Sequence, residues 1–372
     1  MTATISPHPQ APSRRTRIAV TLGDPSGIGP ELIAKLLSNP ENRRRADIIV
    51  LADESEFQSS LSDAGGLHVP VSSNPAGAQN IQVLGDDSAS QYSFIRGQIS
   101  EGSGGRAIYQ LRRAVSMAKA GEIDAIVFAP LNKSSLKLAG MTEEDELRWF
   151  ANQLSYNGAT SEINIAGSLW TARVTSHIGV EEIAHRISKE STLRAIELLH
   201  NLRWESGIDY PRLGVCALNP HNGENGAFGR QEIEHIRPAI ETARAQGIDV
   251  LGPFPCDTIF LKREHFDGIV TMYHDQGQIA MKLLSFDGGV TVQGGLPVPI
   301  ATPAHGTAFD IAGKNLAAVT STQNAFDIAA TMAERRIAKS RQQEQGISRD
   351  IPIKADSLPT STIVQMLSSS CC

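Results

Sequence analysis

The sequence predicts an α/β protein built from parallel strands joined by helical crossovers. Short apolar runs rich in β-branched residues recur along the chain, and helix-length amphipathic segments separate them. Strands that alternate with helices favour parallel pairing, because a parallel connection must cross back over the sheet. Length adds a further bound. At 372 residues the chain exceeds what one simple core organises, so two domains are expected.

The individual elements follow from the same pattern. Arg17–Leu22 (RIAVTL), Asp47–Leu51 (DIIVL), Ala125–Phe128 (AIVF), Arg212–Leu218 (RLGVCAL) and Asp267–Met272 (DGIVTM) read as buried strands bounded by turn residues. Pro30–Leu37, Ala107–Ala120, Leu193–Asn201 and Gln231–Gln246 read as helices between them. The chain is expected to leave the first domain near residues 140–150 and to return near 285–295, where Gly288, Gly289, Gly294 and Gly295 punctuate it. The first domain is therefore discontinuous, 17–145 with 289–345, and the second spans 146–288. Residues 1–16 are polar and proline-rich and read as a disordered leader; 346–372 reads as a loosely held tail.

Composition narrows the function classes. Hydrophobic residues make up 41% and charged residues 20%, as in ordinary globular proteins, and the net charge of -6 gives no electrostatic reason to expect nucleic acid. No apolar run approaches the roughly 20 residues that span a bilayer, so no membrane partner is expected. The leader has no apolar signal-peptide core, and Cys216, Cys256, Cys371 and Cys372 lack zinc-ribbon spacing, which fits a reducing cytoplasm.

Four segments carry candidate chemistry. The first, LGDPSGIGPE (22–31), is a glycine-rich turn between a strand and a helix; Gly27 and Gly29 permit close backbone approach, whether for an anionic ligand or for packing alone. It is not G-x-G-x-x-G, so a Rossmann assignment fails on spacing. The second, NPHNGENGAFG (219–229), follows a strand, where open α/β sheets bind ligands, and His221 has no helix face to fill. The third, TMYHDQG (271–277), puts His274 and Asp275 in the matching position of another strand, with Lys282 eight residues beyond His274. His177 ends the apolar stretch Trp170–Val174 in the same manner. Three neutral imidazoles could surround one divalent ion and leave positions open for substrate oxygens, although spacings of 44 and 53 residues match no local metal motif. The fourth, TPAHGTAFDIAGKN (302–315), has small residues against which a planar group could lie. Asp310 could accept from a ribose diol and repel a 2′-phosphate, favouring NAD over NADP. Lys133, in APLNKS after a strand, is a proton donor or carboxylate clamp, or simply a surface lysine.

Taken together, LGDPSGIGPE, NPHNGENGAFG, MYHDQG and PAHGTAFDIAGK resemble the 4-hydroxythreonine-4-phosphate dehydrogenase family over roughly residues 16–340. The fourth segment also resembles the adenosine-binding loop of isopropylmalate and isocitrate dehydrogenases, which share that family's fold. The resemblance implies two α/β/α domains with the active site in the cleft between them, a homodimer whose partner subunit completes the site, and a small carboxylate substrate. It implies NAD held by Gly27, Gly29, His305, Gly306, Thr307, Ala308, Asp310 and Asn315. It also implies one divalent ion on His177, His221 and His274, most naturally zinc, with manganese, cobalt or iron also suited. Asp257, Asp275 and Lys282 fall on its substrate-contacting positions and, with Lys133, are the expected catalytic groups.

The sequence also departs from the family. The usual Gly-His-Thr-Glu segment reads Glu144-Asp-Glu-Leu-Arg-Trp149, and positions that usually hold the phosphate fall on Thr291 and Ile300. Losing a bidentate arginine from a phosphate site is not conservative. A non-phosphorylated substrate is therefore expected: the cis-dihydrodiol of terephthalate, oxidised and decarboxylated to protocatechuate and CO2, with Arg148 and Thr291 as substrate-binding residues. The alternative is 4-hydroxythreonine 4-phosphate or a phosphorylated sugar acid. A transferase or non-catalytic protein on the same fold is a third possibility, set against the intact HGTAFDIAG loop.

Overall fold

The computed structural model describes residues 14–72, 80–284 and 288–345. The expected leader, apart from residues 14–16, and the tail from 346 with Cys371 and Cys372 lie outside the described residues. Thr16 already belongs to the first strand.

Eleven strands form one mixed sheet: β1 Thr16–Thr21, β2 Ala46–Val50, β3 Gln82–Val83, β4 Ala125–Phe128, β5 Ser161–Ala166, β6 Leu169–Arg173, β7 Arg212–Cys216, β8 Asp249–Phe254, β9 Gly268–Thr271, β10 Val290–Gly294 and β11 Ile300–Pro303. Their order across the sheet is β3-β2-β1-β4-β11-β10-β5-β6-β9-β7-β8. The five strands from β3 to β11 are mutually parallel. So are the four from β6 to β8. Three antiparallel pairings, β11 with β10, β10 with β5 and β5 with β6, join the two sets and make them run in opposite directions.

Both parallel sets are covered by helices, which is why β1, β2, β4, β7 and β9 read as nearly unbroken apolar runs. Helix Thr320–Glu344 packs along β11, β4 and β10 and touches helix Lys189–Glu205 of the other set. One core cluster accordingly contains Val20, Val127 and Val290 together with Leu213 and Val270.

Several elements differ from expectation for identifiable reasons. Helix Glu101–Lys119 starts six residues earlier than expected, through Gly102, Gly104 and Gly105. A Cβ on Gly104 would stand 1.9 Å from the Ser135 carbonyl oxygen, so close packing on the next helix selects glycine there. The single helix expected over 231–246 is a π turn, Glu232–Ile236, followed by an α-helix, Arg237–Ala245. Pro238 lacks an N–H, so the regular ladder cannot run through it. Cys256 opens the short helix Cys256–Ile259 rather than lying in a strand, and both it and Cys216 are free thiols packed in one apolar cluster.

Candidate active site

The strand register brings two of the three histidines, His177 and His274, together. β6 and β9 run parallel with Arg173 opposite Thr271, so the chain leaves both at the same level. Val174 N–H then donates to Thr271 O (2.9 Å) and Thr175 N–H to Met272 O (3.0 Å), carrying the two exits side by side. His177 and His274 follow, with ring centroids 5.7 Å apart. His274 Nδ1 is hydrogen-bonded to Asp275 Oδ1 at 2.7 Å, while His177 Nδ1 stands 3.2 Å from Asp145 Oδ2, within ion-pair reach but not aligned as a hydrogen bond. On His274, Nε2 is therefore the nitrogen available to an ion.

His221 leaves β7, the strand next to β9. Glu232, fully buried, accepts from the backbone N–H of Leu218 (2.9 Å) and Asn219 (2.7 Å) and anchors the base of this loop. Gln276 ties it to the His274 segment by donating to Ala217 O (2.9 Å) while accepting from Met272 N–H (2.8 Å). Residues 221–225 all have positive φ, including His221 at 52°, Asn222 at 58°, Glu224 at 42° and Asn225 at 52°. Consecutive left-handed non-glycine residues are costly and concentrate at functional loops. His221, Asp257, Asp275, Tyr273 and Cys256 line one cavity of about 750 Å³, whose outer wall is Leu261, Ile279, Leu283 and Leu284. Lys282 is exposed on helix His274–Leu284, two turns beyond Asp275, and is not part of that wall.

The two expected cofactor loops meet. Ile28 N–H donates to Thr307 O (3.0 Å), and a Cβ on Gly27 would stand 2.7 Å from both the Thr307 carbonyl oxygen and its Cβ. A Cβ on Gly29 would stand 2.2 Å from Leu22 O. Both glycines therefore have a packing reason to be glycine. His305, Gly306 and Asp310 are exposed on the same loop, and Ala308 (φ 40°) and Asn315 (φ 58°) are left-handed. Glu31, only 1% exposed, holds the far end of the loop by accepting from Asn315 N–H (3.1 Å) and Ala317 N–H (2.7 Å), with Lys35 2.7 Å away.

The two expected substrate-binding residues sit in different elements. Arg148 is exposed on the helix Glu146–Gln153 and pairs with Glu144 at 3.4 Å, so it faces solvent. Thr291 Oγ1 accepts from Asn164 Nδ2 at 3.4 Å within the sheet. The buried cation on this side is Arg173, which donates to Asn164 Oδ1 at 3.2 Å and pairs with Glu162, while its Nε is buried without a partner. Burial lowers the Arg173 pKa, opposed by the charges of Glu162 and Asp145. Burial also pushes the Glu146 carboxyl up, with exposed Lys133 acting in the other direction.

The sequence reading missed Asp145, Glu31 and Arg173 as site residues. Glu31 could have been noticed as a carboxylate inside an otherwise apolar helix. Asp145 and Arg173 matter through partners distant in sequence and carry no local signal.

An α/β sheet with a glycine-rich loop pair at one set of strand ends and histidines beside carboxylates at another is an arrangement suited to a small-molecule enzyme. The family model described as "Pyridoxal phosphate biosynthetic protein PdxA" matches residues 44–329, and the chain belongs to this family. It is an oxidoreductase. A Pseudomonas aeruginosa protein provisionally named 4-hydroxythreonine-4-phosphate dehydrogenase 2 is 47% identical over 336 residues, covering 86% of this chain and 98% of the relative. The D-threonate 4-phosphate dehydrogenase of Cupriavidus necator is 37% identical, with 86% and 98% covered. Among solved structures, a 4-hydroxythreonine-4-phosphate dehydrogenase from Klebsiella pneumoniae is similar with a TM-score of 0.73 and 32% identity, covering 87% of this chain and 99% of that one. A terephthalate 1,2-cis-dihydrodiol dehydrogenase from Burkholderia xenovorans is less similar, with a TM-score of 0.63, 26% identity and coverage of 86% and 98%.

Proposed function

We propose that the chain is an NAD- and divalent-metal-dependent dehydrogenase of a phosphorylated hydroxy acid, 4-hydroxythreonine 4-phosphate or a tetronate 4-phosphate. The observation that carries this is the 47% identity, over nearly the full length, to a relative named for the phosphorylated substrate. The terephthalate dihydrodiol reading, drawn from the altered Glu144–Trp149 segment and from Thr291 and Ile300 at the phosphate positions, is set aside. The relative named for that reaction stands at 26% identity, and Arg148, its expected substrate-binding cation, faces solvent.

His177 and His274 fit a divalent ion, because their rings stand 5.7 Å apart with a carboxylate beside each Nδ1, hydrogen-bonded at His274 and 3.2 Å away at His177. His221 would be the third ligand. Bound there, the ion supplies positive charge beside the substrate hydroxyl and stabilises the negative charge that develops on oxidation and on loss of CO2. The loop of His305, Gly306, Thr307 and Ala308 would carry the adenosine half of NAD on the Gly27–Gly29 turn, with Asp310 and Asn315 beside the ribose. NAD held there would supply the hydride acceptor for the oxidation. Asp257 and Asp275, which line the cavity with His221, would take the hydroxyl proton. Lys133 or Lys282, both exposed here, would return one to the carbon that loses CO2. Thr291 would contact substrate from the sheet.

The two oppositely directed parallel sets support two lobes with the site between them, close to 17–145 with 289–345 and 146–288. We also infer a homodimer. Leu261 (72% exposed), Ile279 (59%) and Leu283 (82%) form an apolar rim around the His221 cavity, a surface that a second copy would cover. Among the described residues no helix is long and apolar enough to cross a membrane, and cytoplasmic residence fits the free thiols of Cys216 and Cys256.

The experiment is a panel of 4-hydroxythreonine 4-phosphate, D-threonate 4-phosphate, their dephosphorylated forms and the dihydrodiol, each followed by NADH formation. Turnover confined to the phosphorylated acids supports the proposal. Preference for the dihydrodiol would refute it.

A further inference from the structure

The segment that departs from the family pattern does have a role in the site. Asp145 caps the helix Glu146–Gln153 through Oδ1, which accepts from Arg148 N–H at 2.8 Å. A cap needs only one oxygen, and serine, threonine or asparagine supplies it equally well. The second oxygen of Asp145 lies 3.2 Å from His177 Nδ1, on a side chain only 5% exposed. The neighbouring Glu144 also brings an oxygen close to this pair, but it is exposed and engaged by Arg148. His274 shows the same pattern with Asp275.

We propose that Asp145 is the positioning residue of His177, holding the imidazole as its Nδ1–H tautomer so that Nε2 offers its lone pair to the ion shared with His274. The proposal rests on the metal-dependent reading of the site. Its physical basis is that a carboxylate accepting from the far ring nitrogen orients a ligand histidine and raises its basicity.

Asp145→Asn separates the two roles. The amide oxygen still caps the helix, but the amide NH2 then faces His177 Nδ1 and favours the opposite tautomer. The full-length protein, stripped and titrated with zinc against a chromophoric chelator, is expected to bind roughly 10- to 100-fold more weakly in Asp145→Asn than in the native chain. Thermal midpoints of the metal-free forms should coincide, and the cobalt-substituted variant should show an altered d–d spectrum. Native zinc affinity in Asp145→Asn, beside lost affinity in His177→Ala, would overturn the proposal and leave the metal reading intact. Failure of the native chain itself to bind zinc or cobalt would overturn both.

Discussion

At the scale of single residues, the site depends on atoms that allow no alternative. His177 and His274 stand 5.7 Å apart, so on the proposed reading removing either ring takes away one of the ion's ligands. His177→Ala and His274→Ala are each expected to lose metal binding and turnover together while retaining native circular dichroism; retained metal stoichiometry would contradict this assignment. Gly27 is equally constrained, since a Cβ there meets Thr307 at 2.7 Å. Gly27→Ala should cost about 1–3 kcal/mol of stability through overpacking. It should also raise the KM for NAD more than it lowers kcat if, as proposed, the displaced Thr307 loop carries the cofactor. The histidines were legible in the sequence because they follow apolar strands, where a polar ring has little structural reason to be. Asp145 was not. It reads as one acid in the run Glu143–Glu146, and only the fold brings it to a residue 32 positions away.

At the scale of elements, the buried carboxylates decide how loops are held. Glu31 accepts two backbone N–H groups from the segment that closes the cofactor loop and neutralises Lys35. Glu31→Gln leaves one of these buried donors without its partner, an effect of about 1–3 kcal/mol. A lower thermal midpoint and weaker NAD protection are expected, and an unchanged NAD response would show that the loop is held by other contacts. Glu146 works in the opposite sense. Burial raises its carboxyl pKa above the ordinary glutamate value, so the folded state binds the proton more tightly than the unfolded state. Its contribution is therefore favourable at low pH and is lost as pH rises from the ordinary glutamate value through the raised one. Glu146→Gln should flatten that part of the stability–pH curve and leave the chain relatively more stable at neutral pH, measurable by urea denaturation across the acid range. Elements buried on both faces were readable as apolar runs. β5, with SEINIA, and β10, with VTVQG, mix polar and apolar residues because each lies in an antiparallel part of the sheet. Neither therefore reads as a strand in the sequence, and β10 falls within the expected domain return near 285–295.

At the scale of the whole molecule, the sheet is one continuous structure whose direction reverses at its centre, and this reversal was not visible from local patterns. The α/β class was visible, since alternating strands and helices leave few other solutions. Oligomeric state belongs to this scale. Leu283 is 82% exposed on the rim of the His221 cavity, so Leu283→Asp is expected to shift the protein from dimer to monomer in light scattering and to reduce turnover with it. A monomeric native chain with full activity would remove the partner subunit from the account. The most direct test of the central claim is NADH formation from a hydroxy-acid phosphate by protein stripped of metal and then titrated with zinc. The expected result is no turnover when stripped and recovery complete at one equivalent per chain. Full turnover after stripping, confirmed by metal analysis, would contradict a site built on His177, His221 and His274.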